Sequence, residues 1–301
     1  MTDALYGVVP NFSEGRRRDV IDAIVAALHV PGARVVYAEA DVAHNRLDTT
    51  VLGDGEAVQC SAFAGALKAI ELIDMEHHIG GHPRMGAVDV IPFMPIRGVT
   101  MDDAVVLSRA FGENLALTAD IPVYLYDAAA LLPERSSLAV VRKGEFEGLR
   151  AAVASGERLP DFGPHRLGRA GATAVGARKP LVAFNMYLNG DDESLAKDIA
   201  RSIRGSSGGL PALRAIGFAV PGRGGVVTVS MNLIDHEVTG LLAAYDAVAS
   251  RARAAGMEVL ESEIVGLVPD AAISEGDIEM LRLTGFDADT QILERLAEED
   301  Q

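Results

Sequence analysis

Cysteine is almost absent: Cys60 stands alone in 301 residues. A single thiol excludes an intramolecular disulfide and any cysteine-based metal cage, and it fits a reducing compartment. Basic residues are also scarce, 27 Lys and Arg against 43 Asp and Glu, for a net charge of −16. That sign opposes nucleic acid and anionic membrane as partners, so an anionic ligand needs a local basic pocket. No apolar run is long enough to span a bilayer, and no charged leader with an apolar segment opens the chain. The expectation is a soluble cytoplasmic protein. Neither the P-loop lysine pattern nor a dinucleotide fingerprint after a strand is present, which argues against nucleotide binding.

What is present is apolar material, 49% of the chain, enough for one large or two modest cores. Residues 4–10 read as a short strand stopped by Pro10, and 11–15 as a polar turn in which Ser13 caps the next helix. Val20, Ile21, Ile24, Ala27 and Leu28 recur at helical spacing until Pro31-Gly32. Strands over 33–40 and 46–53 follow. A long helix comes next, with Phe63, Ala66, Leu67, Ile70 and Ile73 as its predicted buried face. The strand at 87–96 contains Pro92 and Pro95, which suit an edge or a bulge better than a sheet centre. A helix over 100–119 and a strand over 121–126 extend the unit. Residues 131–171 lose periodicity and read as a long loop.

From Leu181 the same grammar repeats: strand, helix 192–204, strands 212–220 and 225–232, helix 236–255, strand 258–268. The last of these helices is expected to bury Val238, Leu241, Leu242, Tyr245 and Val248. The fold expected is α/β (α+β), two ferredoxin-like β-α-β-β-α-β subdomains over 1–177 and 178–301 with a ligand cleft between them. The tail from Asp270 reads as one or two capping helices with an acidic, frayed end.

The stretch from Asp74 to Val90 concentrates the chemistry. His82 lies between Gly81 and Pro83, placed as a general acid or base near neutral pH, with Arg84 two residues on to hold a carboxylate; the alternative is a surface histidine. His77, His78 and His82 lack a helical metal-ligand frame, and the glycines between them break convergence, so no metal is expected. Glu39 and Asp41 flank a strand end. Arg46 pairs with Glu39 or with a ligand carboxylate. Arg166, Arg169, Arg178 and Lys179 make a locally basic segment that fits an anionic ligand or a solvated linker.

The strings VPNFSEG (Val9 to Gly15), Asn45-Arg46, LIDM (Leu72 to Met75), HPRMGAVDVIPFMPIRGV (His82 to Val99), IPVYLY, PDFGP, GATAVGARKPLVAFN, NLIDHEVT and IVGLVP together resemble the glutamate formimidoyltransferase family over residues 4 to about 270. The resemblance is to its stand-alone form, without a cyclodeaminase domain. It implies transfer of a formimidoyl group from N-formimidoyl-L-glutamate to tetrahydrofolate as co-substrate, in histidine breakdown, by a homodimer with the folate between two α/β subdomains. It implies that His82 is the catalytic histidine and that Glu39 takes the place of a family aspartate. It further implies that Asn11, Asn45, Arg46, Arg84, Arg178, Arg214 and the segment Gly163, Pro164, His165, Arg166, Leu167, Gly168, Arg169, Ala170, Gly171 hold the substrates. That segment is one residue shorter than the family's and lacks its tryptophan, and the basic tract before Ala215 is reduced to Arg214. Two other readings stay open: a diverged member using another acceptor or water, and a non-catalytic binding protein on the same scaffold.

Overall fold

The computed structural model describes residues 4–220 and 222–298. The chain divides into two units on either side of the Arg178–Lys179 bond.

The first unit opens with β1 (Leu5–Val8) and β2 (Asn11–Phe12), two halves of one strand broken at Val9-Pro10. Then come α1 (Arg18–Leu28), β3 (Ala33–Asp41), β4 (Arg46–Gly53), α2 (Gly55–Leu72), β5 (Val88–Arg97), α3 (Met101–Ala119) and β6 (Val123–Asp127). Two helices, α4 (Leu138–Val141) and α5 (Glu145–Ala154), precede β7 (Thr173–Ala177). Both halves of the N-terminal strand lie between β4 and β5 and run antiparallel to each. With β3 on the outer side of β4, this is the ferredoxin-like order. β7 and β6 extend it as parallel strands beyond β5.

Several expectations are corrected here. β5 is central, because β1 and β2 pair with it on one side and β7 on the other. Its prolines are tolerated because the neighbouring ladder is irregular: Pro92 faces the Val9-Pro10 break, where its carbonyl accepts the Val9 N–H at 3.0 Å. Pro95 lies opposite Tyr6, beside a register shift. The stretch expected as a loop carries α5, whose Phe146, Leu149 and Val153 are buried at helical spacing, and just beyond it lies β7, an unexpected strand of small residues. Ser13 caps no helix. Its hydroxyl donates to the Gly86 carbonyl at 2.8 Å, while the Glu14 carboxylate accepts the Arg16 and Arg17 N–H groups ahead of α1.

Of the expected buried face of α2, Ala66 and Ile73 are buried and Phe63 and Ile70 pack partly buried on the core, but the deepest face is shifted toward small residues. It consists of Ala57, Val58, Ser61, Ala62, Gly65, Ala66 and Ala69, whereas Leu67 is exposed. Small residues win because α1 comes so close: a Cβ at Gly65 would stand 2.5 Å from the Leu28 side chain. One core lies between α1, α2, α3 and the sheet, with Phe12, Phe93 and Phe111 in it. A second lies between α4–α5 and the other face of β5, β7 and β6, built on Val90, Tyr124, Val141 and Leu149. On the β3-β4-β2 half of the sheet, Glu39, Asp48 and Asn11 lie opposite one another as a polar row.

The second unit is a four-stranded antiparallel sheet in the order β11-β8-β10-β9. It is formed by β8 (Val182–Asn189), β9 (Leu213–Ala219), β10 (Val226–Leu233) and β11 (Val259–Val265), with α6 (Glu193–Ile203) and α7 (Leu241–Ala254) as crossovers. This is the expected β-α-β-β-α-β unit. α7 starts later than predicted, since the Asp235 carbonyl takes the Val238 and Thr239 N–H groups in a turn. Its buried face is Leu241, Ala244, Val248 and Ala252, while Val238 and Leu242 are exposed. The tail forms α8 (Glu275–Met280), α9 (Ala288–Gln291) and α10 (Leu293–Glu298), which seat Leu281, Ile292 and Leu293. The acidic end expected to fray falls on residues outside those described. Among the described residues, no helix is long and apolar enough to cross a membrane.

Candidate active site

The histidine-rich loop is laid against the β3–β4 turn by backbone contact. A Cβ on Gly80 would lie 2.2 Å from the His44 carbonyl oxygen, and a Cβ on Gly15 equally close to that of Asp41, so neither position accepts a side chain. Asn45, in the left-handed region at φ 51, ties the two loops together. Its Oδ1 accepts the Gly15 N–H at 2.9 Å, its Nδ2 donates to the Ile79 carbonyl at 3.0 Å, and its own carbonyl takes His78 Nε2 at 3.1 Å. Burial holds the His78 imidazole below its ordinary pKa.

The next residue, Arg46, opens β4 and reaches Asp89 of β5. The Asp89 carboxylate is fully buried and accepts Arg46 Nη1 at 2.8 Å, the Met85 N–H at 2.9 Å and Nη2 of Arg142. Arg142 is the residue that ends α4. Arg46 Nε donates to Asp48 at 2.9 Å, and Asp48 also accepts from Asn11. Arg46 therefore pairs with Asp48 and Asp89, and the expected pairing with Glu39 is corrected. Glu39 instead takes the hydroxyl of Tyr37. It lies opposite Asp48, which lies opposite Asn11, so the three form one row across β3, β4 and β2.

His82 is half-buried beside this cluster. Its Nδ1 is 2.7 Å from the Pro83 carbonyl oxygen, which can only accept, so Nδ1 carries the proton and Nε2 keeps the lone pair. Burial, then the charges of Arg46 and Arg142, push its pKa down to about 4 against the opposing pull of Pro83 and Asp89. The His44 ring meets it edge-on at 6.2 Å between centroids, and Asp41 accepts the His44 N–H at 2.8 Å and lies 2.7 Å from His44 Nδ1, two contacts that lower its pKa. The arrangement is a neutral base next to two pinned guanidinium groups.

Arg84, expected to hold a ligand carboxylate, is engaged here by carboxylates of the protein itself. It is buried, and its guanidinium bonds Glu145 at 2.7 Å and Glu147 at 2.6 Å, fastening the loop to the start of α5. The 163–171 segment runs along Met85–Ala87. The Ala170 carbonyl accepts the Ala87 N–H at 2.8 Å, Gly86 and Gly171 form a bridge, and a Cβ on Gly171, at φ +72, would stand 2.3 Å from the Met85 carbonyl oxygen. Gly163, at φ +87, abuts the Ile121 carbonyl. Leu167 packs on the core, and Pro164, His165 and Gly168 lie between these fixed points. Arg166 pairs with Asp120, and Arg169 Nη2 donates to the Glu71 carbonyl at 3.2 Å. The Arg178 N–H bonds the Phe93 carbonyl at 3.0 Å, and Arg214 is exposed on β9 of the second unit.

Of the expected residues, then, Asn11, Arg46 and His82 come together, with Glu39 in the adjoining row. Sequence reasoning missed Asp48, Asp89 and Arg142. Asp89 had a signal, a lone carboxylate inside an apolar strand, which must find partners to be buried. Arg142 had none. Among the described residues no group of three or more His, Cys, Asp or Glu is placed to hold a metal ion.

Two family models cover the chain: "Formiminotransferase domain, N-terminal subdomain" over residues 5–178 and "Formiminotransferase domain" over 183–283. The glutamate formimidoyltransferase of Streptococcus pyogenes serotype M1 is 41% identical over 288 residues, 95% of this chain and 96% of the relative. That of Thermoplasma acidophilum is 41% identical over 298 residues, 98% of each. The formimidoyltransferase-cyclodeaminase of Rattus norvegicus is 41% identical over 276 residues, 89% of this chain and 51% of the relative. With both subdomain models in register with the two units, and relatives matched almost end to end, the chain belongs to the formiminotransferase family.

Proposed function

We propose that this protein is a glutamate formimidoyltransferase. It moves the formimidoyl group from N-formimidoyl-L-glutamate to tetrahydrofolate as co-substrate, giving 5-formimidoyltetrahydrofolate and L-glutamate in histidine degradation. The observation that carries the reading is the His82 imidazole, neutral and with Nε2 unprotonated, among residues of a chain 41% identical to enzymes of that name.

The transfer needs a base for the proton of the attacking folate ring amine and an acid for the departing glutamate amine. One imidazole serves both in turn: Nε2 takes the first proton and returns it to the leaving nitrogen. The Pro83 carbonyl fixes the tautomer that makes Nε2 the working atom. Attack turns the formimidoyl carbon tetrahedral, and its amidine nitrogens tolerate positive charge. A carboxylate stabilises that state better than an oxyanion hole would, and Glu39, in a row with Asp48 and Asn11, is assigned this role. Arg84, fastened to Glu145 and Glu147, is assigned the role of holding the loop that presents His82.

The test is tetrahydrofolate-dependent release of glutamate from formimidoylglutamate. We expect the wild type to turn over and His82→Ala to fold but lose about 100-fold or more in kcat. Glutamate release without tetrahydrofolate would point to water as acceptor. A His82→Ala variant at the wild-type rate would end the assignment of the base.

A further inference from the structure

The transferase reading, on which this inference rests, does not say what recognises a carboxylate of the substrates. Arg84 is already engaged by Glu145 and Glu147. We propose that Arg142, held beside Arg46 by Asp89, is a specificity-determining residue that binds a carboxylate of the donor next to His82.

The cluster around Asp89 leaves guanidinium donors unmatched. Asp89 meets both guanidinium groups through a single oxygen, Oδ2, because Oδ1 is taken by the Met85 N–H. Neither arginine can therefore make the two-pronged pairing that a guanidinium makes with a carboxylate it does not share. Arg46 finds a second acceptor in Asp48, but among the described residues Arg142 finds none, and its Nε is buried there without a hydrogen-bond partner. Two cations thus face one fully buried anion, since Asp48 is 48% exposed and screened by solvent. Burial and the repulsion of Arg46 hold the Arg142 pKa below the ordinary guanidinium range despite Asp89.

An incoming carboxylate supplies the missing charge and a second acceptor. The Arg142 side chain as a whole is still 14% accessible, although its Nε is buried. The same two arginines act on the His82 imidazole, which places an anion bound between them within the field that sets its proton affinity. The donor carries two carboxylates and the acceptor carries others on its glutamate tail, so the experiment must separate these sources.

In the kinetic arm, kcat/KM is measured for formimidoylglutamate, for its two mono-amides, and with tetrahydropteroate as an acceptor lacking the tail. We expect the wild type to disfavour one mono-amide by about tenfold or more, and Arg142→Gln to reduce that preference to within about twofold while its tetrahydropteroate preference stays unchanged. Retention of the full preference against both amides in Arg142→Gln overturns the proposal, as does a change confined to tetrahydropteroate. The second arm needs no variant: the His82 imidazole resonance of the wild type is titrated with and without glutarate, a dicarboxylate without the amine. Saturating glutarate is expected to raise its pKa, and no change overturns the anion site. If the wild type releases no glutamate at all, the transferase reading has failed, and the glutarate titration still decides on the site.

Discussion

The His82 imidazole should stay neutral through the range where histidines ordinarily titrate. Its pKa of about 4 arises mainly from burial and then from the pinned charges of Arg46 and Arg142. At pH 6 a side chain with that pKa is protonated in about 1 molecule in 100, against roughly three in four for a free histidine near 6.5. The displacement also affects stability. Between about 4 and 6.5 the unfolded chain binds the proton and the folded chain does not, so this contribution is fully present above 6.5. It falls as the pH drops through that window, by about 1–2 kcal/mol in all at pH below 4 once solvent screening of a half-buried ring is counted. The assay is a proton NMR titration of the imidazole Cε1 resonance, assigned by its disappearance in His82→Gln and accompanied by urea unfolding at pH 7 and pH 5. The folded wild type should show a His82 resonance that does not move between pH 8 and about 5, and unfolding should need less urea at pH 5. A His82 resonance that titrates at 6.5 or above would refute the account of the site's electrostatics.

Two substitutions test the scaffold around it. Asp89→Asn keeps the shape but leaves Arg46 and Arg142 facing each other with no buried carboxylate between them. It should cost roughly 3–5 kcal/mol in urea unfolding, and a midpoint equal to the wild type's would show that Asp89 is not the anchor of the cluster. Gly86→Ala would put a Cβ 2.2 Å from the Ala172 carbonyl oxygen, a backbone atom that cannot step aside. We expect a loss of about 3 kcal/mol or more by thermal melting, and a melting temperature unchanged from wild type would contradict the close approach of the 85–87 and 170–172 segments.

The strand and helix order was legible where the apolar residues repeat at the period of the element they form, as in α1, β8 and β10. Legibility failed where contact distance decides instead of hydrophobicity. The α2 face follows Gly65 and its alanines where α1 comes close, leaving Phe63 partly buried against Phe111 and Leu67 exposed, and β7 escaped notice because Thr173–Ala177 offers small residues and no bulky alternation. The prolines of β5 were misplaced because tolerance depends on a break in the neighbouring strand. At the site, His82 and Arg46 stood out through their short local patterns. The partner that tunes them did not, since Arg142 comes from 53 residues beyond Asp89 in a segment with no motif of its own.

That separation along the chain bears on when the molecule becomes chemically competent. The carboxylate of Asp89 gathers Arg46 from 43 positions upstream and Arg142 from 53 positions downstream. Until all three have met, as on a nascent or partly opened chain, the imidazole lacks two of its tuning charges and behaves more like any other histidine. The full tuning is in this way reserved for the finished first unit, and a break anywhere between residues 46 and 142 that lets either arginine drift would remove that arginine's share of the downward push while burial kept its own.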